Sequence, residues 1–184
     1  MKNFVKIIIV AATALLCFIL QTSILAHLSF AGITPNLMIV VTAGYAFFLG
    51  DRAGMFTGLF CGLLCDIFFG PLIGFEGIVY AVVGYLCGKL GMLLYVEGVG
   101  FPIVLVSVSD IIYGLLNFFF LFMLQNRLFF GTFLLHVMIP EMVYTALAAV
   151  ILFPVIRSIH EHVVVWEHRD RKKGRWRFFT KQLF

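Results

Sequence analysis

Charge is scarce in this 184-residue chain, where Asp, Glu, Lys and Arg make up 12% of the residues against 62% for hydrophobic ones. Soluble domains carry about a quarter charged residues, so a water-soluble fold is excluded. Mean hydropathy, at +1.09, says the same. The strict alternation of apolar and polar residues that a transmembrane barrel wall needs is missing, and the chain reads as all-α. Catalytic signatures are missing as well: there is no HExxH, no GxSxG and no phosphate-cradling glycine loop. Ser107, Asp110 and His136 offer hydroxyl, acid and base, but no motif joins them. No inverted repeat of the secondary-transporter kind is visible. Cysteine is limited to Cys17, Cys61, Cys65 and Cys87, all inside apolar stretches. Cys61 and Cys65 have neither redox spacing nor a nearby His for zinc, so all four read as buried thiols. The expectation is a protein that is not an enzyme and that needs no metal or cofactor.

What is abundant is long apolar sequence. At about 20 residues per span, it predicts a compact bundle of about six transmembrane helices, near residues 5–25, 36–49, 53–69, 74–94, 101–124 and 133–156. The first span has a basic start and an apolar centre, yet runs too long for a signal-peptide core, so it is read as a retained helix. Pro35-Asn36 forms the entry turn of the second helix, and residues 50–52 form the turn into the third. Pro140 removes a donor to the His136 carbonyl, which predicts a kink in the sixth.

Positive charge sets the orientation. With an even number of spans, Lys2, Lys6, Arg52, Lys89 and the C-terminal tail fall on one side and Arg127 on the other. Short cytoplasmic loops hold the excess of Lys and Arg, so both termini are expected in the cytoplasm and Pro35-Asn36 at the periplasmic face. The chain divides into a transmembrane domain, residues 1–156, and a basic, aromatic cytoplasmic or interfacial tail, residues 157–184. The tail has eight Lys or Arg against Glu161, Glu167 and Asp170, whereas residues 1–156 have five against six acids. Arg169, Arg171, Lys172, Lys173, Arg175, Trp176 and Arg177 mix cations with rings as a surface facing anionic lipid does. Simple anchoring by cytoplasmic charge is the plainer reading, and nucleic acid is not an expected partner.

Two patterns stand out inside the apolar stretches. Gly50, Gly54, Gly58 and Gly62 recur every four residues, with Asp66 in the next place. A four-residue period drifts only about 40° per step around a helix, so these glycines form a stripe along which backbones can meet. Gly84, Gly88 and Gly91 on the fourth helix offer a matching surface for a tight hairpin. The stripe suits either internal packing or another protein's helix. The second pattern is polar. Ser107, Asp110, Gly114 and Asn117 share one face of the fifth helix, and Asp66, Asp110 and Glu141 form an acidic set, with Glu76 toward the rim. A carboxyl at membrane depth costs several kcal/mol unless it faces the bundle. Asp66, Asp110, Asn117 and Glu141 are therefore expected in the polar interior, with His136, Tyr80, Tyr113 and Tyr144 as nearby partners. Asp110 is expected neutral or capping a polar network.

The order Pro35-Asn36-Leu37, then the glycine series from Gly50 to Asp66, then Pro71-x-x-Gly74 and Gly84-Tyr85-x-x-Gly88, resembles the rod-shape-determining MreD family. The resemblance implies a non-enzymatic scaffold of bacterial cell elongation in the inner membrane. It further implies binding to the coiled-coil protein MreC and, through it, a link to MreB, RodA and a class B penicillin-binding protein. No catalytic residue comes with it. On the matching positions, Gly54, Gly58, Gly62, Gly84 and Gly88 are expected to shape helix packing or a partner interface. The layout is also similar to the substrate-binding membrane subunits of energy-coupling-factor vitamin transporters, which is the alternative reading.

Overall fold

The computed structural model describes residues 2–25, 27, 33–70, 72–93, 100–125 and 130–182, and the side chains within them except at 2, 3, 121–130, 132 and 163–182. Pro71 and Arg127 and the side chains of the basic tail from residue 163 on lie outside the described residues.

Among the described residues six helices follow one another. The first, α1, is Lys2–Ile19 and continues as a π-helical stretch, Leu20–Leu25; α2 is Leu37–Leu49, α3 Asp51–Phe69, α4 Phe75–Leu93 and α5 Gly100–Gln125. The last, α6, starts as Phe130–Phe133, passes through a π-helical turn, Leu134–Met138, and continues as Ile139–Gln182. The expected kink takes the form of that π turn. Pro140 has no N–H to give His136 and its ring crowds that carbonyl, and the helix widens just before it. The Ile139 N–H bonds back to the Leu134 carbonyl, five residues away.

Among the described residues five helices are long and apolar enough to cross a membrane, while α2 is a shorter apolar helix. Its 13 residues span about 20 Å at 1.5 Å per residue, against about 30 Å of hydrocarbon. Every residue from Leu37 to Ala46 is buried, so α2 is the axis around which the longer helices stand. Gly44 of α2 lies against Ile156 of α6, and Phe48 stacks on Phe153 at 5.3 Å.

A single residue joins α2 to α3. Gly50 has φ +88°, a left-handed conformation that costs an L side chain about 1–2 kcal/mol, and its N–H bonds to the Ala46 carbonyl at 2.9 Å. The turn is thus shorter than the expected residues 50–52, because Asp51 and Arg52 already form the first turn of α3.

The helices alternate in direction. Lys6, Tyr45, Leu49 and His160 line one small recess, Gly88 meets Asp51 and Phe101 lies 6.1 Å from Phe47. The start of α1 and residue 160 of α6 therefore share one end of the bundle. Gln21, Asn36, Gly70, Glu76 and Glu141 meet at the other end.

Candidate functional site

The glycines of α3 face α4. A Cβ on Gly54 would run into the Gly84 carbonyl, one on Gly58 into the backbone of Tyr80, and one on Gly62 into that of Glu76. From the other side, a Cβ on Gly84 would strike Gly54 and one on Gly88 would strike Asp51. Each step of four along α3 is matched by a step of four back along α4, so the hairpin is in register over its whole length. Main chains touch where two small-residue stripes coincide, the contact that replaces hydrophobic drive within lipid. The stripe is filled by this chain's own α4, which leaves it no room for a foreign helix.

Asp66 takes the fifth place because α4 begins opposite it. Its Oδ2 accepts from the N–H groups of Gly74 and Gly77, both at 2.9 Å, and its Oδ1 accepts from Glu76 N–H at 3.0 Å. The first N–H groups of a helix have no partner within it, and the positive end of the helix dipole favours an anion. Asp66 is 2% exposed and caps α4 from within α3. Its partners are backbone amides, not the expected tyrosines or His136.

Asn36 does the same for α2. Its Oδ1 accepts from Ile39 N–H at 3.2 Å and from the Tyr80 hydroxyl at 2.9 Å, while its own N–H donates to Thr145 Oγ1 at 3.0 Å. Gln21 Oε1 accepts from Leu37 N–H at 2.8 Å. Four helices are thereby tied at one point, with Pro35 entering just before the cap. The remaining acids lie around this knot. Glu76 accepts from Asn117 Nδ2 at 3.0 Å and is half-buried in the first turn of α4. Asp110 is 4% exposed, and its Oδ1 is buried with no hydrogen-bond partner among the described residues. Glu141, Glu76, Asn36, Gln21, Tyr80 and Tyr113 line a recess of about 360 Å³.

The rest of the α5 face is divided. Gly114 meets Met138 of α6, and Ser107 spends its hydroxyl on the Ile103 carbonyl at 3.0 Å. The buried serine is its neighbour Ser109, which lies 2.8 Å from Cys87 Sγ. Glu76, Gln21, Thr145 and Ser109 carry much of the polar interior, and sequence reasoning either missed them or misplaced them. Asking which side chains serve the free N–H groups of Asn36 and Leu37 would have pointed to Thr145 and Gln21, polar residues within apolar runs. Among the described residues no group of three or more His, Cys, Asp or Glu could hold a metal ion.

A buried short helix, a glycine-zipped hairpin and an Asp and an Asn spent on capping define a multi-pass α-helical membrane protein whose polar interior holds its helices together. The family model for the rod shape-determining protein MreD matches residues 1–163, and the chain belongs to that family. It is a multi-pass inner-membrane protein of the system that sets bacterial cell shape. No curated protein and no solved structure matches the chain.

Proposed function

We propose that the chain is a non-catalytic scaffold that binds MreC in the membrane and through it holds MreB, RodA and a class B penicillin-binding protein in one elongation complex. The family match over residues 1–163 carries this reading. It is supported by how the intramembrane polar groups are used: Asp66 and Asn36 cap helices, and Asn117 and Thr145 tie elements together. We also propose that the end holding Lys6, Arg52, Lys89 and residue 160 is cytoplasmic, in keeping with the positive-inside rule. The recess at Asn36 then faces the periplasm.

Gentle detergent purification of the full chain followed by mass spectrometry tests the scaffold reading. MreC should be recovered in stoichiometric amounts, and its absence under conditions that keep the protein folded would sink the idea. Because the glycine stripe is internal, Gly58→Leu and Gly62→Leu should lose MreC together with thermal stability. Wild-type recovery of MreC by both variants would show that the hairpin is irrelevant to the complex.

A further inference from the structure

On the α4 side, α3 is packed backbone to backbone, but its other side is not closed by α1. The two helices meet at one end, where the Phe18 ring lies 5.2 Å from Phe68 and 6.0 Å from Phe69. Away from that contact they part, and a cleft of about 510 Å³ opens between Ile7, Val10 and Ala11 of α1 and Ala53, Phe56 and Phe60 of α3. Thr57 also lines it, but its hydroxyl is spent on the Ala53 carbonyl at 2.8 Å. Lys6 supplies the cation of the lining. Arg52 adjoins at the same end, where Asp51 turns its Oδ1 to the Arg52 N–H at 2.7 Å.

A cleft of this kind, open sideways in a bilayer, holds hydrocarbon, because water would find no polar partner along its walls. From Ala53 to Phe60 the rise along α3 is about 10 Å. Apolar walls on both sides over that length give room for an acyl chain. We propose that this cleft seats an acyl chain of an anionic phospholipid, its phosphate held at the wide end by Lys6 and its tail directed toward Phe18. An ammonium on a flexible apolar stem at the mouth of an apolar slot is complementary to that molecule, since basic side chains at the membrane surface attract anionic headgroups.

The test is photo-cross-linking of the full chain in vesicles, with phosphatidylglycerol or phosphatidylcholine carrying a diazirine in one acyl chain and labelled peptides read by mass spectrometry. The phosphatidylglycerol probe should label residues 6–11 and 53–60 well above the stretch 147–151 of α6, where Leu147, Val150 and Ile151 are exposed, and the phosphatidylcholine probe should not. Lys6→Gln should cut the preference about fivefold, the effect of removing one cation from an anionic surface, and Lys6→Arg should keep it. Ala53→Phe, which fills the cleft, should abolish the labelling there while leaving that of α6 unchanged, which separates occupancy from misfolding. Equal labelling of both stretches, equal labelling by both probes, or undiminished labelling of Ala53→Phe overturns the proposal.

Discussion

Three backbone N–H groups converge on the carboxylate of Asp66, and no other part of the hairpin can replace it. Asp66→Ala should destabilise the protein by about 1–2 kcal/mol, the usual cost of a lost helix cap, with Asp66→Asn milder because an amide oxygen still accepts. Unfolding in detergent micelles checks this, and equal stability of the alanine variant would deny the cap its role. A different mechanism operates at Gly58, where any side chain meets the Tyr80 backbone. Forcing atoms into a filled interior costs about 1–3 kcal/mol for modest insertions, and Gly58→Leu adds a whole side chain against main chain that cannot rotate away. A melting temperature unchanged by Gly58→Leu would mean that α3 and α4 separate without cost.

Between elements, Asn36 ties α2, α4 and α6 through Ile39, Tyr80 and Thr145. Asn36→Ala should cost about 1–2 kcal/mol and Tyr80→Phe about 1 kcal/mol. Since both remove the same bond, the double variant should lose less than the sum; strict additivity in a double-mutant cycle would separate the two residues. Spacing along the chain made the α3 stripe and its Asp66 terminus visible as one series, because a period of four is written in consecutive residues. The matching set on α4 was visible for the same reason. The cap that Asp66 makes was not, because it depends on α4 beginning opposite it, a relation between two helices that spacing within either cannot express. Gln21 and Thr145 were missed on the same ground, since each is an ordinary polar residue until the open end of α2 is placed beside it. Hydropathy located α2 but left its length in the membrane unresolved, for a buried apolar helix and a spanning one have the same composition.

For the molecule as a whole, we propose that the basic tail adds a second attachment, to anionic lipid, beyond the bundle. Removing residues 168–184 should lower binding to anionic vesicles, and the difference should shrink as salt rises, because exposed charges are screened beyond about 10 Å at 0.1 M. Binding that is insensitive to the truncation would leave the tail a mere topological anchor. The short axis of the bundle has a wider effect. Since α2 stops about 10 Å short of a full crossing, its neighbours rise past it like the staves of a well, and the floor of that well is the capped start of α2. Glu76 and Glu141 keep their carboxyls along the walls only because those turns are missing. Splicing two more turns of helix onto α2 ahead of Asn36 would stopper the well and strand both acids against hydrocarbon.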